Sequence, residues 1–128
     1  MLDHIGIKVT SVAKAKAFYD KALAPLGVKV IMEVSAAESP DGAFLGYGEG
    51  FKPYFWINEQ KRATELVHVA FATDSRAKVD AFYKAAMAAG GKDNGPPGLR
   101  EHYHPTYYGA FVLDPDGHNI EAVCHAPA

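Results

Sequence analysis

The segment His4–Gly27, HIGIKVTSVAKAKAFYDKALAPLG, is echoed 64 positions later by His68–Gly91, HVAFATDSRAKVDAFYKAAMAAGG. In this single register His4 meets His68, Ser11 meets Ser75, and Ala13-Lys14 meets Ala77-Lys78. Ala17-Phe18-Tyr19 meets Ala81-Phe82-Tyr83, while Ala22, Ala24 and Gly27 meet Ala86, Ala88 and Gly91. One register held across 24 residues, with two aromatics and a histidine among the matches, marks an internal duplication. The unit occurs twice only, so it is a doubled half-domain and not a solenoid.

Each copy opens on an alternating strand. Between Asp3 and Val9, Ile5, Ile7 and Val9 share one face and His4, Gly6 and Lys8 the other. Leu66 to Thr73 repeats the pattern, with Val67, Val69 and Phe71 opposed to His68, Ala70 and Ala72. Polar pairs, Thr10-Ser11 and Asp74-Ser75, then suit a helix start. The apolar spacing predicts helices over about Val12 to Ala24 and Arg76 to Ala89, stopped by Pro25 and Gly27 and by Gly90-Gly91. Further extended segments are expected at Val28 to Val34, Ala43 to Gly48 and Pro53 to Asn58. In the second copy they fall at Gly91 to Asn94, Tyr107 to Leu113 and His118 to Cys124. Asp114-Pro115-Asp116-Gly117 has the composition of a type I turn. The expected architecture is α+β, two tandem βαβββ modules in one domain over 1–128, with module one at about 1–60 and module two at about 65–125.

The 128 residues suffice for one domain with a true core. Thirteen basic against fifteen acidic residues give a formal charge of −2 without a basic cluster, which disfavours nucleic acid and acidic membranes as partners. Cys124 is the sole cysteine, so no intrachain disulfide forms and a reducing compartment is expected. No signal-peptide pattern or apolar run of membrane-spanning length occurs, and a cytoplasmic location is the expectation.

Strand alternation turns His4 and His68 away from the helices, toward the concave face of the sheet. Asn119, Glu121 and Val123 share one face of the last strand, so Glu121 can look into the same cavity. Two neutral imidazoles and one carboxylate bind a divalent first-row ion and leave it a net positive charge, with positions open for water or substrate. A single strand-start histidine would more simply be a packed or surface residue; the matched pair argues for ligands.

Leu2-Asp3-His4-Ile5-Gly6-Ile7-Lys8-Val9, the Ala17-Phe18-Tyr19 helix, Leu66-Val67-His68-Val69-Ala70-Phe71 and Asp114-Pro115-Asp116-Gly117-His118-Asn119-Ile120-Glu121 together resemble the vicinal-oxygen-chelate superfamily. This is the glyoxalase, bleomycin-resistance and extradiol-dioxygenase group. The resemblance implies a cupped, incomplete mixed β-barrel around a divalent ion (Zn, Fe, Mn or Ni) on His4, His68 and Glu121. It also implies a small-molecule substrate and a homodimer, in which sites are sometimes shared between chains. Glyoxalase I carries a fourth ligand on the last strand of its first module. The matching position here is Trp56 or Ile57, neither of which binds metal, and Glu59 and Gln60 lie beyond. That departure disfavours lactoylglutathione lyase activity. The expected function is a metal-dependent lyase or isomerase, dioxygenase or thiol transferase; the alternative is a metal-independent drug-binding protein of the bleomycin-resistance type.

The stretch from Lys92 to Thr106 has the length and Gly-Pro content of a lid. Arg100 and Tyr103 are candidates for substrate contact, with Trp56 on the first module's strand. If the segment is extended, His102 and His104 share a face and can act as acid or base, or bind a second ion. His118 reads as structural, Phe55 and Tyr47 as core, and Cys124 as an unreactive helix-side residue.

Overall fold

The computed structural model describes residues 2–61 and 65–128. The first half runs β1 (Ile5–Val9), α1 (Val12–Ala22), a short 3₁₀ turn at Ala24–Leu26, β2 (Lys29–Val34), β3 (Phe44–Glu49) and β4 (Lys52–Glu59). The second runs β5 (His68–Ala72), α2 (Arg76–Ala88), β6 (Lys92–Asp93), β7 (Gly98–Leu99), β8 (Tyr108–Leu113) and β9 (Asn119–Cys124). The first sheet is ordered β1-β4-β3-β2 and the second β5-β9-β8-β6, with β7 also on β8. In each, the opening strand lies parallel to the closing one. The fold is α+β, two cupped sheets that do not close into a barrel. One strand exceeds expectation: Gly98 and Leu99, inside the Gly-Pro loop, pair with Gly109 and Tyr108.

The faces follow from alternation. Ile7 and Val9 of β1, and Val69 and Phe71 of β5, are buried beneath the helices. Phe18, Tyr19, Phe55 and Phe71 pack edge to face, with centroids 4.9 to 5.3 Å apart. Because Phe55 and Phe71 belong to different halves, the two modules share one core. Each such buried ring contributes about 1.5–3 kcal/mol. Ser11 accepts from the Lys14 amide at the start of α1, whereas Ser75 makes no side-chain cap on α2.

The Asp114–Gly117 turn ties the halves together. Asp114 Oδ2 accepts from the Tyr19 hydroxyl at 2.5 Å, and Asp116 accepts from the amide and hydroxyl of Thr10. His118, fully buried, donates from Nε2 to the Lys8 carbonyl at 2.7 Å and accepts at Nδ1 from the Val67 amide at 3.1 Å. These bonds select one neutral tautomer and bridge β1 to the chain entering β5. Among the described residues no helix is long and apolar enough to cross a membrane.

Candidate functional site

Glu121 is the centre of the second cup. Its carboxylate is 1% exposed, and Oε1 lies 2.8 Å from His68 Nε2. His68 is half exposed, so the pair spans the boundary between sheet and open cup. The parallel register places Glu121 opposite Ala70 and His68 opposite Asn119, which sets all four on the same face. Phe111, opposite Glu121 on β8, brings its ring to 6.1 Å from that of His68.

The second carboxylate oxygen is also occupied. Tyr107 donates its hydroxyl to Glu121 Oε2. Burial first, and then the bond to Glu121, push this phenol well above its ordinary value, so it stays a donor. The ring is held edge-on between Tyr103, at 5.1 Å, and His125, at 5.2 Å. Gly109 makes the approach possible: a Cβ there would stand 3.1 Å from the Tyr107 ring and 3.3 Å from Glu121 Oε2. Tyr107 was not among the candidates read from sequence. The available signal was a tyrosine two residues ahead of a glycine in a strand facing Glu121.

Asn119 contributes a different feature. Its Oδ1 is buried and has no hydrogen-bond partner among the described residues. The residue stands opposite His68 and two positions before Glu121, on the same strand face.

His4 does not join this pair. Its ring is largely exposed and lies 2.7 Å from Asp3, whose other oxygen takes the Lys52 ammonium. Hydrogen bonds from His4 and Lys52 hold the Asp3 carboxyl below the usual carboxylate range. With Gly6, Phe44 and Trp56, His4 lines a shallow groove in the first cup. Among the described residues, no three His, Cys, Asp or Glu side chains gather closely enough to hold one ion.

The register settles which residue matches Glu121 in the first module. Trp56 is opposite Gly6 as Glu121 is opposite Ala70, so Trp56 and not Ile57 holds the place. Its half-buried ring packs against Phe44 at 6.5 Å. Contrary to expectation, Glu59 belongs to β4. It lies on the helix side, and its Oε2 accepts from the Val12 amide at 2.8 Å, a carboxylate cap where the helix dipole favours one. Gln60 is bonded to the Asp41 carbonyl and to Asn58. Tyr47 and Phe55 are core, and Cys124 is buried.

The lid is not extended as the H-x-H reading assumed. The amides of Tyr103 and His104 both return to the Arg100 carbonyl, and Tyr107 returns to His104, so the segment is a pair of tight turns. Its Pro105, which lacks an amide donor, suits a turn and not a ladder. His102 is exposed, with its ring tilted against that of Tyr103 at 4.2 Å; His104 accepts at Nδ1 from the Thr106 amide. The two histidines do not share a strand face. Arg100 Cζ lies 5.5 Å from the centre of the Phe111 ring.

Comparisons with known proteins agree with this architecture. A crystal structure of a glyoxalase/bleomycin resistance protein from Albidiferax ferrireducens T118 superposes with a TM-score of 0.78 at 27% identity, covering 97% of this chain and 98% of that one. A glyoxalase/bleomycin resistance protein/dioxygenase family enzyme from Burkholderia phytofirmans PsJN gives 0.67 at 20% identity, covering 97% and 98%, and so speaks for the fold alone. A glyoxalase I mutant from Zea mays gives 0.64 at 25% identity over 95% of this chain and 46% of that one. A search of curated protein sequences returned no significant match. The family model of the Glyoxalase/Bleomycin resistance protein/Dioxygenase superfamily matches residues 1–122, and the chain belongs to that superfamily.

Proposed function

We propose that the chain is a metal-dependent enzyme acting on a small substrate that presents two adjacent oxygens. The observation that carries this reading is the Glu121 carboxylate, buried to 1% yet turned toward an open cup with a half-exposed imidazole on one oxygen. Burying an anion is costly unless it is paired, and a histidine–carboxylate pair is a donor set for borderline divalent ions. Asn119 Oδ1, buried and without a partner among the described residues, is an acceptor that a bound water or substrate hydroxyl would satisfy.

His68 and Glu121 would hold the ion (Zn, Fe, Mn or Ni) with His4 as third donor. Because no third donor of this chain gathers with them among the described residues, a second copy in a homodimer would supply this histidine. When bound, the ion polarises both substrate oxygens and stabilises charge developing on them. Tyr107 holds Glu121 at Oε2 and His68 meets it at Oε1, so the carboxylate is fixed in orientation toward His68. With Trp56 in the matching place of the first module, no carboxylate there moves a proton. That task falls to Glu121 or to the lid imidazoles of His102 and His104. The reaction is isomerisation or lyase chemistry, ring-cleaving oxygenation or thiol addition. Metal content after purification from the native host should be near stoichiometric in the wild type and low in His68→Ala; equal content in both would end the proposal.

One observation favours a second reading. The apolar Trp56–Phe44 surface beside His4 suits a flat organic ligand held without metal, as in a bleomycin-resistance type binder. Ligand uptake by metal-stripped protein, with no turnover across a substrate panel, would select it.

A further inference from the structure

The guanidinium of Arg100 is held in place without being neutralised. Nη1 donates to the Gly98 carbonyl at 2.9 Å and Nη2 to the Pro96 carbonyl at 2.7 Å, both uncharged acceptors. No carboxylate pairs with it among the described residues. Two glycines shape its slot. A Cβ at Gly95 would fall 3.2 Å from Nη2 and 3.0 Å from the Phe111 ring, and one at Gly98 would fall 3.2 Å from Nη1. The Gly95–Gly98 loop therefore wraps the guanidinium against Phe111. The main chain of Arg100 is also the hub of the lid, bonded to Tyr107 on one side and to Tyr103 and His104 on the other.

A guanidinium has five N–H donors. Two are used here, so three remain to be offered by a group already fixed in position. Both this cation and His68 border Phe111: the guanidinium carbon lies 5.5 Å from its ring centre and the His68 ring 6.1 Å from it. We propose that Arg100 binds a carboxylate of the substrate, whose two adjacent oxygens lie at the other end of the molecule, toward His68 and Glu121. This deepens the proposed function and rests on that reading for the orientation of the substrate. A single fixed guanidinium matches a singly charged carboxylate in a two-pronged contact.

The test uses two probes that share adjacent hydroxyls and differ in charge, 3,4-dihydroxybenzoate and 3,4-dihydroxybenzamide. Titration calorimetry on metal-loaded protein should show the acid binding roughly ten- to hundredfold more tightly than the amide. The preference should vanish in Arg100→Gln and survive in part in Arg100→Lys, with circular dichroism confirming that both variants fold. Equal binding of acid and amide by the wild type, or an undiminished preference in Arg100→Gln, would overturn the assignment. The two proposals separate cleanly. His68-dependent binding of both probes without an acid preference removes the role of Arg100 and leaves the metal site standing. An Arg100-dependent acid preference that persists in protein unable to take up metal supports Arg100 and removes the metal site.

Discussion

Trp56 and Glu121 stand at matching places in the two halves, one opposite Gly6 across β4 and β1, the other opposite Ala70 across β9 and β5. Duplication made two cups of one plan. One keeps a carboxylate at its centre and the other an indole.

Restoring the symmetry should be measurable. Trp56→Glu is expected to raise the affinity for a divalent ion roughly tenfold, about 1.4 kcal/mol, by adding an anionic donor to the set. Trp56→Phe should leave it unchanged. Competition against a chromophoric chelator reads both, and identical affinities for all three proteins would show that the first cup does not border the ion.

Tyr107→Phe removes the donor to Glu121 Oε2 and leaves a buried charged oxygen short of a partner. The loss is about 1–2 kcal/mol, the lower part of the range for bonds to charged groups because the tyrosine is only half buried. Urea unfolding at neutral pH measures it. Metal affinity should fall as well, since Glu121 would then be free to turn; a variant as stable and as tight-binding as wild type would deny Tyr107 its positioning role.

These two residues show what the sequence could and could not disclose. The 64-residue offset, the alternation around His4 and His68, and the parity of Glu121 were legible because each depends on local period alone. Tyr107 was not, because its place depends on the β8–β9 register and on the space left by Gly109. Glu59 eluded the reading for the opposite reason: one further residue of β4 turned it to the helix side, where the Val12 amide claimed it. The lid misled through its short H-x-H spacing, which means a shared face in a strand and nothing of the kind in turns.

Asn119 sets stability against function. Its Oδ1, buried and without a partner among the described residues, costs the resting protein about 1–3 kcal/mol. Asn119→Leu, close in volume, should hold or raise the melting temperature while weakening ligand or metal uptake. A clear drop in melting temperature would mean that the amide is satisfied in the resting state.

His118→Ala would leave the Lys8 carbonyl and the Val67 amide without partners and open a cavity where the modules meet, at a cost of about 3 kcal/mol or more. Asp116→Ala, nearer the surface, should cost about 1 kcal/mol or less through Thr10. Denaturant midpoints of the two variants give the comparison, and a milder His118→Ala than Asp116→Ala would refute the assignment of the bridge.

Alkaline conditions should act through Tyr19. Burial first, and the Asp114 carboxylate second, push its phenol well above the ordinary tyrosine value near 10. A raised folded value means that the stabilisation is whole below pH 10 and is lost as pH climbs beyond it, since only the unfolded chain gives up the proton easily. Tyrosinate absorbance from Tyr54, whose phenol is pushed up to about 12, should therefore appear before that of Tyr19, which ionises only on unfolding. Early, complete ionisation of all seven tyrosines in folded protein would contradict this order.

The turn at Asp114–Gly117 reaches further than its own strands. By anchoring α1 and the end of β1 to the second half, it settles the mutual angle of the two concave surfaces inside a single polypeptide. A second copy docking on those surfaces would thus find them already spaced, and little freedom would remain to be frozen at the encounter. Should two copies pair as proposed, loosening Tyr19 or Asp114 would slow or weaken that pairing.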